Sequence, residues 1–211
     1  MSDPIALVIS TIALSVSGLT AWLTLLRRGT VHMTQPTVIY FGPDAPGPNG
    51  EKPLPKVYLR TLLFATSKRG RVIESLHVSL QRNESRQNFN VWVHGDERLV
   101  RGSGLFVGET GIAANHHFLT PRDGSGFLFQ AGTYRLELYG RLLGDSRAKL
   151  LFTQELDIPA SLADSLKEPG TGIYFDWGPD SARYLPHAEK RPPRPDPTAF
   201  LESLGLAGRD A

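Results

Sequence analysis

Tyr134-Arg135-Leu136-Glu137-Leu138-Tyr139, then Gly144-Asp145-Ser146, then Phe152-Thr153-Gln154-Glu155-Leu156-Asp157-Ile158 is the stretch on which the fold turns. In the first run Tyr134, Leu136 and Leu138 alternate with Arg135, Glu137 and Tyr139; in the second Phe152, Leu156 and Ile158 alternate with Thr153, Glu155 and Asp157. Successive side chains of a strand point to opposite faces, so each run has one dry face and one wet one. Gly144-Asp145-Ser146 supplies the turn chemistry between them, and the stretch predicts a β-hairpin.

The same period recurs upstream. Leu76, Val78 and Leu80 alternate with His77, Ser79 and Gln81, and Phe89, Val91 and Val93 alternate with Asn90, Trp92 and His94. Residues 37–41 read as a further strand, 42–55 as a Pro- and Gly-rich loop, 159–166 as one short helix and 172–177 as a strand or ordered flap. Short strands separated by polar or Gly-rich turns, with no long helical pattern after residue 26, predict a mainly β chain folded as an antiparallel β-sandwich over 37–186. Phe129-Gln130-Ala131-Gly132-Thr133-Tyr134-Arg135-Leu136-Glu137-Leu138 resembles the penultimate strand of immunoglobulin-like modules, which enter it through Gly-Thr-Tyr. That resemblance implies an immunoglobulin-like sandwich. Residues 187–211 read as a Pro-rich tail, basic at 189–195, with a short helix over 197–204 capped by Asp196 and stopped by Gly205.

Ahead of the sandwich the chemistry changes. Residues 5–26 carry no charge and include eleven Leu, Ile or Val. As a helix they span about 33 Å against a hydrocarbon core of about 30 Å. Each of those eleven favours insertion by about 0.3 to 0.6 kcal/mol, which outweighs the scattered Ser and Thr. A transmembrane helix is therefore expected over 5–26, between an N-terminal end at 1–4 and a connector at 27–36. Met-Ser-Asp-Pro lacks the basic n-region of a signal peptide. Arg27 and Arg28 abut the helix while no Lys or Arg precedes it, so the positive-inside rule predicts an outside N-terminus and a cytoplasmic sandwich. Ala6, Ser10, Ala13, Ser17, Thr20 and Thr24 recur at spacings of three and four and line one stripe, the pattern for self-association or docking on another membrane subunit. The bilayer, through residues 5–26, is the first expected partner; a protein partner, or a homo-oligomer formed through the helix, is the second.

Composition excludes several function classes. Lys plus Arg number 23 against 21 Asp plus Glu, spread along the chain without a clustered basic face, so nucleic acid is not an expected partner. There is no cysteine, hence no disulfide framework, thiolate nucleophile or thiolate metal site. No Gly-rich loop is followed by Lys and Ser or Thr at Walker spacing. No cofactor is expected.

Two catalytic patterns call for testing. Gly102-Ser103-Gly104-Leu105-Phe106-Val107 with Asn115-His116-His117-Phe118 resembles the strand pair that carries the catalytic His of trypsin-like serine proteases, which would make His117 the general base. Ser146 and Ser125 match the nucleophile's turn only in part, Ala114 stands where that motif has Thr, and the chain has no room for a second barrel. A metal site would draw on His116 or His117 with His77, His94 or the acids of 176–180; adjacent histidines on a strand face opposite ways, so only one could serve, and no metal site is assigned.

What remains is a concentration of aromatic, Gly and charged residues in 88–92, 101–104, 115–118 and 174–184. Trp92, Arg101, His116, Phe175, Trp177 and Tyr184 are the candidate binding residues, since aromatics and Arg are favoured anchors. The order of features is similar to that of uncharacterised bacterial single-pass membrane proteins, which implies a bacterial inner membrane and no particular activity. The expected function is a membrane-anchored, non-enzymatic binding or scaffolding protein presenting its sandwich to a protein partner. The alternative is a small hydrolase or metal-dependent enzyme built on His117 with Asp176 or Asp180, which requires those side chains to converge.

Overall fold

In the computed structural model, which describes residues 3–45, 52–96, 99–102, 104–122 and 126–190, the deciding stretch is a long antiparallel hairpin of β10 (Gly132–Leu142) and β11 (Lys149–Ile158). The register runs from Gly132 opposite Ile158 to Gly140 opposite Lys149, with a bulge at Leu138/Tyr139. Tyr134, Leu136, Leu138 and Leu142 are all at most 1% exposed, as their alternation requires. Tyr134 also fixes the entry to its strand: its hydroxyl accepts from Gln130 N at 2.8 Å and donates to Gln130 O at 3.0 Å. This is the tyrosine corner found at the start of the penultimate strand of immunoglobulin-like sandwiches.

The remaining strands are β1 (Val31–Met33), β2 (Val38–Pro43), β3 (Pro55–Ala65), β4 (Arg71–Arg82), β5 (Ser85–Phe89), β6 (Val91–His94), β7 (Val100–Arg101), β8 (Leu105–Val107), β9 (Ile112–Leu119), β12 (Thr171–Gly178) and β13 (Arg183–Lys190). One sheet has the order β13-β12-β2-β3-β9-β6-β7, with β1 also on β3; the other has β11-β10-β4-β5, with β8 also on β4. Within these, β2-β3-β9-β6 facing β11-β10-β4-β5 reproduces the connectivity of an immunoglobulin-like sandwich, and the β12–β13 hairpin extends the first sheet past β2. A short helix, α2 (Ala160–Ser165), joins β11 to β12. Thus β1 lies inside the stretch read as a connector, and β13 runs four residues into the stretch read as tail, to Lys190. The Pro-rich segment beyond residue 190 and the helix expected at 197–204 lie outside the described residues.

Between the sheets, Phe41, Phe89, Phe118 and Phe175 are at most 1% exposed. Burial of each contributes about 1.5–3 kcal/mol. Phe127 and Phe129, from the β9–β10 connection, close the core at one end by packing on Phe89 and Phe41 at 5.6 and 5.2 Å between ring centres.

One periodicity is corrected. The run from Phe89 to His94 is not a single strand, because the chain leaves the smaller sheet after Phe89 and enters the larger one at Val91. Crossing between sheets resets which parity faces inward. Phe89 and then Trp92 are buried, whereas Val91 and Val93 are half-buried on the outer side.

Ahead of the sandwich, α1 (Pro4–Ala21) begins at Asp3, whose carboxylate accepts from Ile5 N at 3.0 Å, and ends in a π-helical turn, Trp22–Leu26, closed by Arg27 N donating to Trp22 O at 2.8 Å. Pro4–Thr24 is long and apolar enough to cross a membrane, and no residue of α1 is buried against the protein. The chain is then clamped at once. Gly29 N donates to Ser67 Oγ at 3.2 Å, Thr30 N to Thr66 Oγ1 at 2.9 Å, and Arg71 Nη1 to Gly29 O at 2.9 Å.

Candidate functional site

The outer face of the larger sheet is built by the residues that alternate with its core positions: Tyr58 and Arg60 on β3, Asn115 and His117 on β9, Tyr174 and Asp176 on β12. Strand register aligns one residue from each strand. His187 stands opposite Tyr174, Tyr174 opposite Tyr40, Tyr40 opposite Tyr58, and Tyr58 opposite His117. Five rings thus form a row across β13, β12, β2, β3 and β9, roughly 19 Å long at the usual strand spacing. Beyond His117 the same row passes through Val93 to Arg101.

Ring contacts join three of the four neighbouring pairs in the row. Tyr174 and His187 stack at 5.6 Å, Tyr40 and Tyr174 tilt at 4.8 Å, and Tyr58 and His117 tilt at 4.9 Å. Tyr40 is 2% exposed although it points outward, because its ring lies over the bare backbone of Gly42 and Gly172. A Cβ on Gly172 would fall 2.2 Å from that ring. Only glycine leaves room for the ring to lie flat at this centre.

A polar row runs alongside. Arg60 Nη1 donates to Asp96 Oδ1 and to Asn115 Oδ1, both at 2.9 Å, and Tyr58 donates to Asn115 Oδ1 at 2.9 Å. Burial holds the Tyr58 hydroxyl above its ordinary pKa, partly offset by the Arg60 cation. At the far side His187 Nδ1 lies 3.4 Å from Asp176 Oδ2, and Lys56 pairs with Asp44 at 2.9 Å. The surface is aromatic at its centre and mixed in charge at its edges, with hydrogen-bonding groups already oriented.

The residues proposed for catalysis do not converge. His117 and Asp176 share this face but sit on β9 and β12, three strand spacings or roughly 14 Å apart, and Asp180 lies in the turn after β12. Ser146 lies in the β10–β11 turn of the other sheet, and Ser125 is outside the described residues. Among the described residues no three His, Asp or Glu side chains are grouped as metal ligands. His77 stacks on Tyr139 at 5.2 Å on the outer face of the opposite sheet, away from the other histidines.

The six candidate binding residues divide by face. Trp92, His116, Phe175 and Tyr184 are core residues, 4%, 0%, 1% and 9% exposed. Trp177 is half-buried and packs on Tyr184 at 5.1 Å, and the Tyr184 hydroxyl, its pKa pushed up by burial, donates to Pro36 O at 2.7 Å. Arg101 alone is exposed, at the end of the aromatic row. His116 accepts at Nδ1 from Trp92 Nε1 at 3.2 Å, and its Nε2 has no partner among the described residues. An indole only donates, so the ring's one proton is on that buried Nε2. Burial, with lesser contributions from His94 and His117, lowers its pKa to about 3. The six helix residues Ala6, Ser10, Ala13, Ser17, Thr20 and Thr24 are not buried on the helix, and the hydroxyls of Ser10, Thr20 and Thr24 donate to carbonyls four residues back.

Two clefts lie near the loops remote from α1. One of about 190 Å³ lies beside Arg82, Phe127 and Gln130, and one of about 340 Å³ lies between Asp44, Lys52, Arg101 and Arg122. Both are at or below the small end of the range for ligand pockets, about 300–1,000 Å³.

No family model matches the chain, and no curated protein sequence matches it. Among solved structures the chain is similar to the CooA pilin subunit from enterotoxigenic Escherichia coli, with 9% identity and a TM-score of 0.29, over 60% of this chain and 95% of that one. So loose a likeness carries no functional argument.

Proposed function

We propose that the chain is a single-pass protein of a bacterial inner membrane, anchored by α1, that presents a non-enzymatic binding platform to a protein partner on the cytoplasmic side. The observation that carries this reading is the row His187-Tyr174-Tyr40-Tyr58-His117 on the outer face of the larger sheet, beside oriented Arg, Asn and Asp groups. Aromatics and Arg are the residue types from which interface hot spots are made. Anchoring is supported by the apolar length of Pro4–Thr24, its unburied side chains and the hydroxyls of Ser10, Thr11, Ser15, Thr20 and Thr24 bonded to the helix's own carbonyls, and the cytoplasmic side by Arg27 and Arg28 directly after the helix. The scattering of His117, Asp176 and Asp180 argues against the enzymatic alternative.

A photo-crosslinking residue introduced at Tyr58 in intact membranes should yield one protein adduct of defined mass. The same group at Tyr139, on the opposite outer face, should yield none. Identical patterns from the two positions, or an adduct only to residues 191–211 of the chain itself, would sink the platform. A reporter active only in the periplasm, fused after Ala211, should stay silent; strong activity reverses the orientation.

A further inference from the structure

The end of the sandwich beside the helix carries charged and apolar groups that the platform does not use. Gly29 is bonded to the β3–β4 turn through Ser67 and Arg71, so only Arg27 and Arg28 separate that turn from Leu26. Three residue steps reach at most about 10 Å. The headgroup layer outside the hydrocarbon core is itself roughly 5 to 8 Å deep on each side. With α1 inserted, the β3–β4 turn therefore lies at headgroup level.

The β10–β11 turn is held at the same end. Leu143 N donates to Val72 O at 2.8 Å, and Arg71 reaches Asp145 Oδ1 at 3.0 Å, which also takes Lys149 on its other oxygen at 2.9 Å. These hydrogen bonds from Lys149 and then Arg71 hold the Asp145 carboxyl below its ordinary pKa, so its charge is internally neutralised. Lys68 and Arg69 in one turn and Arg147 in the other are exposed and paired with no carboxylate among the described residues, as are Arg27 and Arg28. Between them two large apolar side chains stand in water: Phe106, 61% exposed beside Gly70, and Leu143, 59% exposed. Unpaired cations around bare apolar tips, within a headgroup's depth of a membrane helix, match the composition of surfaces that bind anionic bilayers.

We propose that this end of the sandwich seats on anionic lipid, with Phe106 and Leu143 in the interfacial layer and Lys68, Arg69 and Arg147 against headgroup phosphates. This rests on the reading of α1 as a membrane span. The occupant is the bilayer in which the chain's own helix sits, because the clamp at Gly29 leaves too little chain for another body to intervene.

The absence of cysteine makes the test clean, since Leu143→Cys and Glu84→Cys each create a single labelling site in the full chain. Glu84 follows the far end of β4, eleven residues from Arg71 to Arg82, or roughly 36 Å away. Each labelled chain is placed in lipid nanodiscs carrying a headgroup-linked nitroxide quencher, either wholly zwitterionic or with about 30% phosphatidylglycerol. The label at 143 should be quenched at least about twofold more in the anionic discs, and the excess should vanish in about 1 M salt and in a Lys68→Glu, Arg69→Glu, Arg147→Glu chain. The label at 84 should not respond. Quenching at 143 no greater than at 84, in a chain that stays in the disc through an alkaline wash, overturns the proposal. So does quenching that ignores both lipid charge and charge reversal. Release of the chain by alkali overturns the membrane-span reading itself, which separates the two failures.

Discussion

Acidification should destabilise the sandwich most strongly through His116. Its imidazole is fully buried, its Nδ1 is committed as an acceptor to Trp92, and its folded pKa is about 3. In the unfolded chain the same group titrates near its ordinary value of about 6.5. The unfolded state therefore binds the proton first as pH falls, so the contribution of His116 is intact above about pH 6.5 and is lost progressively down to about pH 3. At about pH 4.5 the gap from 6.5 is about two units, which at 1.36 kcal/mol per unit corresponds to a loss of about 2 to 3 kcal/mol. The assay is urea unfolding of the full chain in a mild detergent, followed by tryptophan fluorescence at about pH 7 and about pH 4.5. His116→Gln keeps an acceptor for Trp92 but does not titrate in this range. The wild-type chain should lose about 2 to 3 kcal/mol more than the variant over this interval. His77 and His94, whose pKa values burial also lowers, are common to both proteins and cancel in the difference. Equal losses in the two proteins would refute the reasoning.

Two further outcomes follow from the geometry. Gly172→Ala places a Cβ in the Tyr40 ring, so either the ring is expelled or the sheet shifts, at a cost of about 1–3 kcal/mol; thermal unfolding with a Tyr40→Ala, Gly172→Ala double variant checks it, because removing the ring should remove most of the penalty. Tyr134→Phe removes both hydroxyl bonds to Gln130 and should cost about 1–2 kcal/mol with no change in the sheet signal of circular dichroism; an unchanged denaturation midpoint would mean the corner contributes nothing.

The sequence was most informative where a single element decides its own face. Tyr134, Leu136 and Leu138 face inward as their alternation predicts, β12 and α2 form close to where 172–177 and 159–166 were read, and His116 and His117 point to opposite sides. It misled where tertiary context resets the phase. At Asn90 the chain changes sheets, so Trp92, which a single continuous strand would turn to the wetter face, enters the core. β1 and β13 are not legible in the sequence because three residues of Val-His-Met, and a strand interrupted by Pro186 at a sheet edge, carry little periodic signal. The aromatic row was illegible for another reason. Tyr40, Tyr58, His117, Tyr174 and His187 are spread over 147 residues, and only the register of five strands brings them into line. An aromatic at the outward parity of each strand was the available clue, but core aromatics such as Phe175 and Tyr184 give the same signal from the inward parity.

The clamp at Gly29 makes the chain a ruler. A long flexible tether would let the sandwich sweep a hemisphere, whereas the two residues between Leu26 and Gly29 allow almost no sweep. Tyr58 lies seven residues along β3 from Ala65, so the centre of the aromatic row stands at most roughly 25 Å from the clamped end. With α1 inserted as proposed, a partner of that row would have to meet it at that height and bearing: a membrane protein would need an extension of comparable length on the side of the sandwich, and a soluble protein would be held within one domain's diameter of the bilayer.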